Sequence, residues 1–201
     1  MARIFISGSS EGLGLTAGQL LAHDGHQVTP HARNETRLKS ARSGLPQAEN
    51  VAVGDVSTIK GMRSVAEQAN ALGRFDAVIH NVGIGYREAR RIETEDGLPH
   101  VFAINVMAPY LLTALMERPK RLVYLSSGMH HHADASLDDI LWQRRRWNGS
   151  TAVSEDPEAR LTGRYFYHER RRAPDPQAQD ERLQDRLLSL CARLSGITLP
   201  H

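Results

Sequence analysis

Residues 3–18 read RIFISGSSEGLGLTAG. A short β-branched and aromatic run ends at Gly8, and Gly12, Gly14 and Gly18 punctuate the amphipathic stretch after it. The pattern predicts a strand over 3–7, a glycine turn, and a helix to about Asp24. Glycines let the backbone turn tightly and approach a phosphate closely, while a helix N-terminus offers free N–H groups and partial positive charge. Strand, glycine turn and helix together are the physical recipe for holding a pyrophosphate.

Downstream, the same rhythm repeats. Strands are expected at Gln27–His31, Asn50–Val53, Phe75–His80 and Arg121–Ser126, and helices at Asn34–Ser43, 58–72 and roughly 96–117. Pro30 argues against the second strand, because proline has no N–H to donate to a ladder. Gly73 is placed to cap the helix before it. Strand and helix alternating through residue 127 imply an α/β fold, a Rossmann-type doubly wound and mainly parallel sheet, shortened at its C-terminal half. The rhythm fails after Ser127. Residues 128–162 read as an irregular loop region with one short helix near Leu137–Arg145, Arg164–His168 as a strand, Arg170–Pro176 as a polar turn, and 179–194 as a C-terminal helix with Leu183, Leu187, Leu190 and Leu194 on one face.

The chain has 201 residues, 40% hydrophobic and 24% charged, which suits a single dinucleotide-binding domain over 1–201 and excludes disordered and collagenous classes. The net charge of +2 is spread evenly, so no basic region is set aside for nucleic acid. Cys191 is the sole cysteine, which excludes an internal disulfide framework. No run of eighteen apolar residues suggests a membrane span, and the N-terminal stretch is too short for a signal-peptide core, so a cytoplasmic location is expected.

The glycine spacing is Gly8-x-x-x-Gly12-x-Gly14, preceded by Ser7. It resembles the Thr-Gly-x-x-x-Gly-x-Gly fingerprint of the short-chain dehydrogenase/reductase family, and further matches follow in order. Asp55-Val56 is similar to the family's Asp-Val pair, His80-Asn81-Val82-Gly83 to its Asn-Asn-Ala-Gly, Asn105 to its helix asparagine, and Ser126-Ser127-Gly128 to its active-site serine segment. The resemblance implies that Gly8, Ser10, Gly12, Leu13 and Gly14 hold the pyrophosphate, Asp55 and Val56 the adenine, and Asn81 with Gly83 the adjoining ribose region. It also implies hydride transfer on a small-molecule carbonyl or alcohol, with Ser127 and Asn105 in the catalytic set.

Charge bears on the choice of cofactor. NAD enzymes usually place a carboxylate at the end of the second strand, whereas an arginine there accommodates the extra phosphate of NADP. The segment here is His31-Ala32-Arg33-Asn34, which favours NADP over NAD through Arg33. Glu11, inside the glycine turn, would repel a phosphate if it pointed inward.

The family's proton donor is a tyrosine, with a lysine four residues later. No such pair exists here: the only lysines are Lys39, Lys60 and Lys120, and the residues four after Tyr165 and Tyr167 are Glu169 and Arg171. The loop after Ser127 resembles that of the retinol-dehydrogenase-like branch, with Val153 and Pro157 in the tyrosine and lysine slots. The resemblance therefore implies that the catalytic helix, the sixth strand and the following substrate loop are missing as one block, with carry-over stopping at about Ala152 and resuming near Arg160. Two functional readings follow, an NADP-dependent oxidoreductase and a catalytically inactive nucleotide-binding sensor or partner protein. A homo-oligomer is left open, because the missing helix usually forms part of the family's dimer surface. The strand at Arg164–His168 should pair with the fifth strand or leave an edge open. His130-His131-His132 reads as a solvated loop and no metal site is expected, since consecutive strand residues point to opposite sides.

Overall fold

The structure, a computed structural model, describes residues 1–85, 88–126, 137–147 and 176–200, and the backbone of 166–167 and 170–171. The chain divides into two compact units, Met1–Gly83 with Leu111–Leu125, and Ile84–Tyr110 with Ser126–His201.

The first unit is built on five parallel strands, β1 (Arg3–Ile6), β2 (Gln27–Ala32), β3 (Ala52–Val53), β4 (Ala77–His80) and β5 (Arg121–Tyr124), in the order β3-β2-β1-β4-β5. Ile4 lies opposite Val28 on one side and Ala77 on the other, and Val78 opposite Leu122. Helices α1 (Gly12–His23), α2 (Glu35–Gly44) and α3 (Ile59–Ala71) connect the first four strands. Side chains alternate across a strand. Ile4 and Ile6 accordingly join Val28 and Leu45 in one buried cluster, and the ring of Phe5 lies 5.7 Å from that of Phe75. Burial on both faces suits a parallel sheet. Pro30 is tolerated because the β2–β3 ladder begins only at His31, one residue beyond it. Asn34 caps α2 by accepting from Arg37 N–H, and Thr58 caps α3 by accepting from Gly61 N–H.

In the second unit, helix α4 (His100–Phe102) passes into a π-helical turn at Ala103–Met107, and α5 (Ala108–Leu115) follows and runs on into the first unit. The continuous helix expected over 96–117 thus starts later and is interrupted. Pro99 restricts the residue before it, and Glu93 bridges to Pro99, so the chain is extended up to His100. The short helix expected at Leu137–Arg145 is a turn instead. The carboxylate of Asp139 accepts from the N–H groups of Gln143, Arg144 and Arg145, taking the place of helical carbonyls. These bonds hold Asp139 below the usual carboxylate range.

The strand β6 (Phe166–Tyr167) pairs antiparallel with β7 (Arg170–Arg171) in a separate two-stranded sheet. It does not pair with β5, and Arg170–Arg171 is strand where a polar turn was expected. The last helix, α6 (Glu181–Ser195), is capped by Asp180 at its start and by Gly196 in the left-handed region at its end, and it buries Leu187 and Cys191. Among the described residues no helix is long and apolar enough to cross a membrane.

Candidate functional site

The C-terminal ends of β1, β2 and β4 carry most of the residues singled out by sequence, as expected where a parallel sheet opens a binding crevice. Ser7, fully buried after β1, accepts from the N–H groups of Asn81 and Val82 at 3.0 and 3.1 Å. Asn81 returns two bonds, its Nδ2 donating to Ser7 O at 3.0 Å and Gly8 O at 2.8 Å. Ser7 and Asn81 thus fasten the glycine turn to the end of β4. Gly14 packs directly onto this fastening: a Cβ there would stand 2.4 Å from Asn81 Nδ2 and 2.5 Å from Gly8 O.

The N-terminus of α1 is left open. Glu11 occupies the N-cap position but its side chain makes no capping bond, so Gly12, Leu13 and Gly14 present the first N–H groups of the helix. Gly12 has φ +58, with nothing within 4 Å of where its Cβ would lie, and Leu13 is exposed. Ser10 is buried in the turn. Glu11 itself is ion-paired with Arg37 of α2, which balances its charge.

Gly8, expected to help hold the pyrophosphate, does not offer its N–H at the turn. Its N–H donates to His31 Nδ1 at 2.9 Å and is therefore spent inside the protein. The proton of His31 must then sit on Nε2, which donates to Gly54 O at 2.8 Å. The backbone of the same residue is tied as well. His31 N–H donates to Ser9 Oγ, which donates to Ile6 O, and Ser9 N–H donates to His31 O. Burial holds His31 below the usual histidine range, against the bond to Gly54 and the charge of Asp55.

Arg33 is exposed one residue past β2. Asp55 is exposed, its carboxylate accepting from Ser57 N–H at 2.9 Å, and Val56 beside it is buried. Gly83 is exposed at the end of the first unit. At the end of β4, His80 is buried and stacked on Tyr124 at 4.8 Å. Its Nε2 lies 3.1 Å from Thr113 Oγ1, which bonds Tyr124 OH at 2.7 Å. Burial pushes the His80 pKa down to about 3 and, acting against the Thr113 bond, raises that of Tyr124.

In the second unit, Asn105 lies in the π-helical turn, and both ends of its amide bond the backbone of Ile84. Oδ1 accepts from Ile84 N–H at 2.9 Å and Nδ2 donates to Ile84 O at 3.1 Å. Widened turns of this kind often mark functional positions. Ser127 lies outside the described residues, as do Gly128, the three histidines at 130–132 and Tyr165.

The short chain dehydrogenase family profile matches residues 2–121. The chain belongs to the short-chain dehydrogenase family. Relatives extend along its whole length. An uncharacterized oxidoreductase of Emericella nidulans, AN7799, is 36% identical over 253 aligned residues covering 100% of this chain and 99% of that protein. The short-chain dehydrogenase chyC of Penicillium rubens is 31% identical over 100% of both chains. Among solved structures, an uncharacterized protein from Mycobacterium Paratuberculosis has the same fold, with a TM-score of 0.83 at 20% identity over 100% of this chain and 96% of that one. Members of the short-chain dehydrogenase family are NAD(P)-dependent oxidoreductases of small molecules, and the family match places the chain among them.

Three residues of the site escaped sequence reasoning: Ser9, His31 and Arg37. Only His31 left a signal, a histidine in a strand between Pro30 and the apolar Ala32.

Proposed function

We propose that the protein binds NADP(H) at the glycine turn and serves hydride transfer between it and a carbonyl or alcohol. The observation that carries this reading is the fastened turn, in which Ser7, Asn81 and Gly14 lock together while the N–H groups of Gly12, Leu13 and Gly14 stay open beside the exposed backbone of Gly12. That arrangement fits a pyrophosphate. Gly12, Leu13 and Gly14 would donate to it, Ser10 would line the turn, and Gly8 would give it shape. Arg33 would take the ribose phosphate, its side chain exposed and Glu11 already balanced by Arg37. Asp55 and Val56 would border the adenine, and Asn81 with Gly83 the adjoining ribose. Two proteins of the same fold are solved in complex with NADPH, a blue fluorescent protein from a metagenomic library and a short-chain dehydrogenase from Sphingobium yanoikuyae.

The nicotinamide, when bound, supplies or accepts the hydride. Ser127 would polarise the carbonyl by donating from its hydroxyl. Asn105 would hold Ile84 through both ends of its amide, with its second N–H left to donate. The sequence carries no Tyr-x-x-x-Lys pair to protonate an alkoxide, and no lysine follows Lys120. The alignment with AN7799 runs over 253 positions against 201 residues here, a difference of 52, and a strand with its crossover helix takes about 30 or more. That difference is long enough for a catalytic block, and the missing Tyr-x-x-x-Lys pair supports a second reading, an inactive nucleotide-binding protein.

Turnover separates the two. NADPH absorbance followed with a panel of aldehydes and ketones falls if the chain is an enzyme, and Ser127→Ala then slows it at least tenfold. Saturable binding with no absorbance change supports the sensor or partner role. Turnover unaffected by Ser127→Ala would overturn the assignment of that residue.

A further inference from the structure

We propose that His31 is a positioning residue for the dinucleotide, its neutral ring acting as a spacer between the pyrophosphate turn and the strand end that leads to the adenine residues. The inference rests on the nucleotide-binding reading above and deepens it. One ring nitrogen faces Gly8, the first residue of the glycine turn, at 2.9 Å, and the other faces Gly54, next to Asp55 and Val56, at 2.8 Å. A single rigid, planar group therefore sets the separation of the two halves of the cofactor site.

The chemistry admits few substitutes. Gly8 offers a donor and Gly54 an acceptor, so the bridging group must accept at one end and donate at the other, which a neutral imidazole with its proton on Nε2 does. A charged imidazolium would turn a second N–H toward Gly8 N–H. Asparagine places an oxygen near the Nδ1 position but does not reach Gly54, while glutamine reaches Gly54 but offers nothing at the Nδ1 position. Gly8 has little freedom to adjust: it holds φ +63, and a Cβ there would stand 2.9 Å from Val82 Cα. The backbone bonds between His31 and Ser9 hold the ring's own strand against the turn. Losing either ring bond should let one half of the site shift relative to the other without unfolding the sheet.

The test uses the full chain and NADPH. Fluorescence titrations of the wild type, His31→Asn and His31→Gln are run well below the melting temperature of each, alongside nitrogen-detected NMR of the histidine rings. The wild type should show His31 protonated on Nε2 alone, with the ring signals shifting when NADPH is added. Each variant keeps one of the two bonds and should bind NADPH about fivefold more weakly while remaining folded, the most that one lost hydrogen bond of ordinary strength can take from binding. A folded variant that binds like the wild type, or a wild-type ring protonated on Nδ1, overturns the proposal, and the NMR result decides it even if both variants fail to fold. If the wild type binds neither NADPH nor NADH, the nucleotide-binding reading itself has failed, and this assignment with it.

Discussion

Gly14→Ala sets two physical effects against each other. Alanine is the better helix former by about 0.8–1 kcal/mol, so propensity alone predicts a more stable protein. The geometry predicts the opposite. The new methyl would stand 2.4 Å from Asn81 Nδ2, 2.5 Å from Gly8 O and 3.0 Å from Ser9 Cα, and two of these three neighbours are backbone. Overpacking of this kind costs about 1–3 kcal/mol. Asn81 would yield first, and its bonds to Ser7 O and Gly8 O contribute about 1 kcal/mol each. With the propensity gain subtracted, the net loss is about 2–4 kcal/mol, or about 4–16 °C in melting temperature for a chain of this size. Urea unfolding followed by circular dichroism measures the stability, and an NADPH titration on the same samples should show affinity reduced about tenfold. A Gly14→Ala protein as stable as the wild type, with unchanged affinity, would refute the account of the fastened turn.

Three other outcomes are expected. Ser7→Ala removes the acceptor shared by the N–H groups of Asn81 and Val82 and should lower stability by about 1–3 kcal/mol, seen as a lower urea midpoint with unchanged slope. His80 is folded in its neutral form, its pKa depressed to about 3 against an ordinary 6.5. As pH falls below 6.5 the unfolded chain takes up a proton that the folded one refuses, so stability is lost between pH 6.5 and about 3, by about 2 kcal/mol at pH 5. His80→Phe should flatten that slope in urea titrations from pH 7 to 5, and an unchanged slope would contradict the assignment. Asn105→Leu frees the backbone of Ile84, and its amide should exchange with solvent at least about tenfold faster. Unchanged protection would mean the side chain is not what holds Ile84.

What could be read in the sequence was what depends on local pattern. The run from Arg3 to Gly18 encodes its strand, turn and helix through neighbouring residues, and the order of the later segments then implies the parallel sheet. The roles inside the site depend on contacts across the chain. Gly8 looks like a phosphate donor until His31, 23 residues away, is found accepting from its N–H. The position of Glu11 in the turn suggests repulsion of phosphate, and only the pair with Arg37 removes the objection. Helical spacing over 96–117 is continuous in hydrophobicity, so the widened turn at Asn105 leaves no mark in it. At Leu137–Arg145 a single carboxylate, Asp139, captures the N–H groups that a helix would have used. The hairpin of β6 with β7 was missed because Arg170–Arg171 carries no β-branched or aromatic signal.

The most direct test of nucleotide binding is a fluorescence titration of the purified full chain with NADPH and with NADH, repeated on Arg33→Ala. Saturable binding with NADPH preferred, and the preference lost in the variant, is the predicted result. A chain that binds neither nucleotide would contradict the reading of the glycine turn, and an unchanged preference in Arg33→Ala would contradict the role given to that arginine.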